Sequence, residues 1–173
     1  MGRGRIAEWH LECLHAIYRK RGDALVRKTA PEAFLIGKKM GRRRGPVDYE
    51  GTFLYKGIGR SVFFDAKQTA EKYRLPLNRD HVPDHQKQFL VDRAEFGAVT
   101  FLYVVSTFHE EDHYYLVPVL PGQGDFLFER KSVPFTDMVE IGTPGDWLHW
   151  LHAHAWMWNG KDGMEESRLA AVG

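Results

Sequence analysis

The chain has a single cysteine, Cys13. That excludes an internal disulfide and a multi-cysteine zinc site, and it fits a reducing cytoplasm. No apolar run approaches the roughly 18–20 residues that a membrane-spanning helix needs. An apolar signal core is missing as well: Met1-Gly2-Arg3-Gly4-Arg5 runs into Glu8, His10 and Glu12, so secretion is not expected. Net charge is nearly absent, +1 from 24 Lys+Arg against 23 Asp+Glu, and as a whole-chain figure it points to no acidic partner.

That balance conceals a division. Residues 1–47 hold 12 basic and 4 acidic residues, a net of +8, and the remainder holds 12 and 19, a net of −7. A strongly basic N-terminal third suggests a nucleic-acid or membrane surface. With 43% hydrophobic and 13% aromatic residues, the chain can bury a core. Its 173 residues suit a single domain spanning 1–173.

Apolar periodicity predicts a helix over residues 5–20, with Ile6, Trp9, Cys13 and Ile17 facing the core and Arg5, Glu8, Glu12, His15 and Arg19 on another face. Gly22 ends it and a short strand follows at 23–28. Residues 30–46 read as an irregular insertion, punctuated by Pro31, Gly37, Gly41, Gly45 and Pro46 and carrying five cations in seven positions, Lys38, Lys39, Arg42, Arg43 and Arg44. A structureless stretch of that length inside a domain is usually functional or disordered. Residues 47–55 and 60–67 read as strands of a hairpin turning at 56–59. Residues 81–93 read as a helix with Val82, Phe89, Leu90 and Val91 inward, and 98–106 as a central strand covered on both faces. Another strand is expected at 114–119. Residues 144–173 read as an aromatic helix to about Trp158, near a subunit interface, and then a fraying tail. The order of elements suggests α/β with a mixed sheet.

Chemistry concentrates in the hairpin. It brings Asp48 and Asp65 together, and Asp65 and Lys67 point the same way because side chains alternate along a strand. Two carboxylates and a lysine beside apolar strands are costly unless a cation or ion pair compensates. Hard oxygen donors suit Mg²⁺, which needs few carboxylates and keeps several waters. Such a set could hydrolyse a phosphodiester, since a metal acidifies water and offsets charge on phosphate. A D-x-K triplet by itself is a weak signal and also describes a surface ion pair. His149, His152 and His154 lie close together, yet their neighbours Trp147, Trp150, Trp156 and Trp158 favour aromatic packing over metal binding, and Cys13 reads as a small core residue.

Asp48 followed by Asp65-x-Lys67 resembles the PD-(D/E)xK nuclease pattern. The longer series Asp48-Tyr49-Glu50-Gly51, Phe64-Asp65-Ala66-Lys67-Gln68-Thr69, Leu75-Pro76-Leu77 and His85-Gln86 is similar to RecU-type Holliday junction resolvases. The likeness continues through 97–101 and Tyr114-Tyr115-Leu116 and covers roughly residues 2–120. The resemblance implies a restriction-endonuclease-like core, a central mixed sheet flanked by helices, with a protruding basic stalk. It implies a Mg²⁺-dependent endonuclease, with Mn²⁺ substituting, acting as a homodimer on four-way junction DNA in a bacterial or phage-infected cell and not at a membrane. Asp48, Asp65, Glu8 and the Ala66 carbonyl would hold the metal. Lys67 would position the attacking water, and Gln86 would stand beside the site. The stalk would enter the junction, with Phe34 as a wedge. Arg3, Arg5, Lys38, Lys39, Arg42, Arg43, Arg44, Gln68 and Thr69 would meet DNA. Asp65 stands where the relatives usually carry glutamate, which shifts the carboxylate by ~1.5 Å. A PD-(D/E)xK nuclease acting on duplex ends or flaps, and a non-catalytic DNA-binding protein of the same fold, remain as alternatives.

Overall fold

The computed structural model describes residues 4–30, 32–36, 39–43, 45–108 and 111–159, with side chains for all of these except 4–7 and 32–43. The elements in chain order are α1 (Gly4–Arg21), β1 (Ala24–Lys28), β2 (Glu32–Ile36), β3 (Lys39–Arg43), β4 (Tyr49–Tyr55), β5 (Ile58–Thr69) and β6 (Arg74–Pro76). There follow α2 (Asp84–Glu95), β7 (Val99–Ser106), β8 (His113–Pro118), α3 (Phe126–Glu129), β9 (Ser132–Pro134), β10 (Val139–Ile141) and α4 (Asp146–His154), which passes into a 3₁₀ turn at Ala155–Trp158.

A six-stranded mixed sheet in the order β1-β4-β5-β7-β8-β10 forms the centre. Only β5 and β7 run parallel, and α2 makes the crossover between them; the other neighbours are antiparallel. Every residue of β7 is buried, as its continuous apolar run requires. The sheet separates two layers. On one side α1 and α4 cover Tyr49, Phe64 and Phe101, with Trp147 of α4 tilted against Phe64 at 5.4 Å between ring centres. On the other side α2 covers β5, with Phe89 edge-on to Phe63 at 5.5 Å. This is the restriction-endonuclease-like arrangement, flanking helices included. Among the described residues no helix is long and apolar enough to cross a membrane.

The β4–β5 hairpin turns at Lys56 (φ 50°) and Gly57 (φ 80°), the positive-φ pair of a tight two-residue turn. Gly51 is fixed by the adjacent strand: a Cβ there would strike the Leu25 carbonyl oxygen and lie 2.7 Å from Val26 Cα.

Two expectations change. Helix α1 has two apolar stripes, and the buried one is Leu11, Leu14, His15 and Tyr18; Trp9, Cys13 and Ile17 are exposed. Periodicity alone could not choose between the stripes. The choice follows from the rings that His15 meets edge-on, Tyr49 at 5.2 Å, Phe64 at 6.0 Å and Trp147 at 5.8 Å. Burial among them lowers its pKa from 6.5 to about 4, keeping the ring neutral. Second, part of the insertion at 30–46 is regular: β2 and β3 pair as a separate antiparallel ribbon, Phe34 opposite Gly41 and Ala33 opposite Arg42. The run Glu32-Ala33-Phe34-Leu35-Ile36 has strand-forming residues, a signal outweighed by the surrounding Gly and Pro. The aromatic helix packs within its own chain: Trp147 and Trp158 are buried, and Trp158 Nε1 donates to the Val119 carbonyl at 2.8 Å. His154 stacks on Trp150 at 4.6 Å and His152 stands edge-on to Phe53. Residues 160–173 of the expected tail lie outside the described residues.

Candidate active site

The hairpin register sets Tyr49 opposite Phe64, so Asp48, one step earlier, falls opposite Asp65. Asp48 Oδ2 accepts the Ala66 N–H at 3.0 Å, and its own carbonyl accepts the Thr29 N–H at 2.8 Å. The carboxylate therefore replaces a strand partner at the point where β4 ends. In an extended strand a residue's N–H and C=O point to the same neighbour, so the Ala66 carbonyl faces the side on which Asp48 lies.

Asp65 is fully buried. Its Oδ1 accepts from Gln86 Nε2 at 3.0 Å, and its Oδ2 pairs with the Lys67 ammonium. Gln86, on α2, closes the triangle by accepting from Lys67 Nζ at 2.9 Å through Oε1. One amide thus orients the acid and the base together, and its burial on α2 locks both. The Asp65 Oδ2–Lys67 contact is an ion pair without hydrogen-bond geometry, and Oδ2 has no other partner. Burial pushes the Asp65 carboxyl from 3.8 up to about 7; the Lys67 ammonium pulls it down and the Asp48 charge adds to the rise.

This donor set fits a hard divalent cation. Two carboxylates converge, one with a buried oxygen lacking a hydrogen bond, and a backbone carbonyl faces the same side. Magnesium asks for one or two carboxylates and retains waters at its remaining positions. Among the described residues no group of three or more His, Cys, Asp or Glu gathers at one point, so the protein side chains would form only part of the shell.

The other expected site residues are placed differently. The Glu8 carboxylate is held by Lys28 Nζ at 2.6 Å, with Glu12 3.9 Å from the same ammonium. The Glu8 hydrogen bond raises the Lys28 pKa, opposed by burial and reinforced by the charges of Glu8, Glu12 and Asp48. Lys28 thus holds Glu8 while feeling the charge of Asp48, and no hydrogen bond or ion pair joins Glu8 to the Asp65 group among the described residues. Gln68 has a buried Oε1 without a partner. Thr69 is buried and its hydroxyl accepts the Glu71 N–H at 3.1 Å. Arg5 lies in α1, and Phe34, Lys39, Arg42 and Arg43 lie in the β2–β3 ribbon. Arg3, Lys38 and Arg44 fall outside the described residues. Sequence reading missed Lys28, whose only signal is its place at the end of β1, the strand paired with β4.

Comparison with known proteins decides the family. The model of the family described as Recombination protein U matches residues 2–140, a span running from the first helix to β10. The chain belongs to the Recombination protein U family. Curated relatives similar to it are named Holliday junction resolvase RecU. One, from Staphylococcus aureus (strain MRSA252), is 29% identical over 125 residues, covering 68% of this chain and 58% of that protein. One from Leuconostoc citreum (strain KM20) is 26% identical over 133 residues, covering 77% of this chain and 62% of that protein. The chain thus spans about three-fifths of the length of these relatives. The Asp48–Asp65–Lys67–Gln86 group lies within the part matched by the Recombination protein U family model.

Proposed function

We propose that the protein is a structure-specific endodeoxyribonuclease that resolves four-way DNA junctions by paired, symmetric hydrolysis of phosphodiester bonds during recombination and repair. The observation that carries this reading is the buried Asp65–Lys67–Gln86 triangle beside Asp48. A buried carboxylate of raised pKa, an ammonium and a second carboxylate gathered on one strand pair suit phosphoryl chemistry and have no need to exist in a structural core. The RecU relatives support the choice of substrate.

Asp48 and Asp65, with the Ala66 carbonyl, would hold a magnesium ion, for which manganese would substitute. When bound, the ion supplies positive charge where negative charge grows on the phosphate. Asp48 is pre-set by the Ala66 N–H. Asp65 is pre-set by Gln86, whose geometry reduces the reorganisation the reaction would otherwise require. The Lys67 ammonium, held by Gln86 and Asp65, donates hydrogen bonds toward the attacking water and the scissile phosphate, lowering the cost of the leaving proton. A junction has approximate two-fold symmetry, and a C₂ homodimer supplies two equivalent sites for it. The β2–β3 ribbon and its cations would enter the junction. The setting is the cytoplasm of a bacterial or phage-infected cell, on nucleoid DNA.

The test is cleavage of matched four-way junction, flap, duplex and single-stranded substrates with Mg²⁺. Paired incisions in the junction, lost in Asp65→Asn while junction binding persists, are expected. Preference for flaps or duplex ends would replace the junction reading with another nuclease reading. No cleavage with either Mg²⁺ or Mn²⁺ would leave a DNA-binding protein without chemistry.

A further inference from the structure

A cavity of about 460 Å³ opens beside the site, lined in part by Arg27, Lys28, Glu50, Phe63, Phe89 and Arg93. Its position follows from the strands. Phe63 precedes Asp65 by two residues and so shares its face of β5, and Phe89 follows Gln86 by three residues on α2. Three cations reach this cavity, and two are already neutralised: Arg27 Nη2 lies 2.9 Å from Glu50 and Lys28 Nζ lies 2.6 Å from Glu8.

Arg93 differs. Its guanidinium lies 5.2 Å from the Phe63 ring centre and 4.9 Å from that of Phe89. Among the described residues it has neither a carboxylate partner nor a side-chain hydrogen bond, and the residue is exposed. Two ring contacts hold the guanidinium without using up its N–H donors, which suits it to bidentate recognition of an outside phosphate. Seven residues separate Arg93 from Gln86, two helical turns or about 10.5 Å along the same face of α2. That is the scale of one or two nucleotide steps from the Asp65 group.

We propose that Arg93, presented by Phe63 and Phe89, binds a backbone phosphate of the DNA strand being cut, one or two nucleotides from the scissile bond. The inference rests on the nuclease reading above and adds a specific contact to it. The contact positions the strand; it reads no base.

The test scans single neutral methylphosphonate linkages along the strand flanking the cleaved bond, with equilibrium binding measured in the absence of divalent metal. In the wild type, one linkage within two nucleotides of that bond weakens binding about tenfold, as loss of a charge-assisted hydrogen bond does. Arg93→Gln binds unmodified DNA about tenfold more weakly, and the same linkage then costs nothing further. Arg93→Lys, which keeps the charge but not the paired donors, retains part of the penalty at that linkage. Wild-type affinity in Arg93→Gln, an unchanged methylphosphonate pattern in that variant, or loss of the pattern in Arg93→Lys would each overturn the proposal. Wild-type cleavage with Mg²⁺ is measured in parallel. An inactive wild type refutes the nuclease reading, whereas an active one with an unaffected Arg93→Gln refutes only the phosphate contact.

Discussion

Asp65→Asn separates what the site needs from what the fold needs. Burial holds the Asp65 carboxyl near pKa 7, against 3.8 when free. Between those values the native state keeps a proton that the unfolded chain has released. Stability therefore falls as pH rises from about 4 to 7, then levels off. Three pKa units correspond to about 4 kcal/mol, with the opposing pull of Lys67 already included in the shift. Asparagine has the same shape, keeps a hydrogen-bonding partner for Gln86 and carries no charge. The metal-free variant should accordingly be more stable than the wild type at pH 8, by up to about 4 kcal/mol or on the order of 10 °C in Tm. The gap should shrink to less than half of that at pH 5. Thermal unfolding in EDTA at both values, with cleavage measured alongside, checks this. Magnesium should raise the Tm of the wild type and not that of the variant. A variant no more stable than the wild type at pH 8, or a gap independent of pH, would refute the claim that burial of the Asp65 charge outweighs its pairing with Lys67.

Four further outcomes are expected. His15, held neutral with a pKa near 4, binds a proton in the unfolded chain below pH 6.5 but not in the native one, so stability falls by about 3 kcal/mol as pH drops from 6.5 to 4; His15→Phe should flatten that limb of the urea-denaturation profile. Gln86→Leu removes the link between Asp65 and Lys67 and should lower kcat about a hundredfold, with circular dichroism showing an intact fold. Gly51→Ala drives a methyl group into the Leu25 carbonyl and should cost about 1–3 kcal/mol in denaturant unfolding. Neutralising Lys38, Lys39, Arg42, Arg43 and Arg44 should weaken junction binding more than duplex binding and flatten the salt dependence by roughly one unit for each phosphate no longer neutralised; equal losses on both substrates would count against a stalk inside the junction.

The parts of the fold legible in sequence are those where a single pattern dominates. The eight buried residues of β7 could be read from an apolar run, and the β4–β5 hairpin from alternation around Lys56-Gly57. Helix α1 defeated the same method because Trp9-Cys13-Ile17 and Leu11-Leu14-Tyr18 are both apolar stripes at helical spacing. What decides between them is the ring cluster of Tyr49, Phe64 and Trp147, brought together from β4, β5 and α4. No window on α1 contains that information. The β2–β3 ribbon was obscured for another reason: its glycines and flanking proline are loop signals, and its strands pair only with each other.

The site divides along the same line. Asp48, Asp65 and Lys67 lie on one hairpin, so their convergence follows from register, and Gln86 joins them through a helix that must cross back over β5 to reach β7. Lys28, Glu8 and Arg93 come from three separate elements, and here sequence spacing is silent. Their pairing nonetheless changes what the basic N-terminal third means. Of the cations lining the cavity beside Asp65, Arg27 and Lys28 are already held by Glu50 and Glu8, so the local excess of positive charge is smaller than residue counts suggest. Among the described residues the cavity cation without an ion pair is Arg93, which lies in the acidic remainder of the chain. The regional arithmetic placed the positive charge in the first 47 residues, whereas Arg93 sits on a helix that the same arithmetic counted as negative.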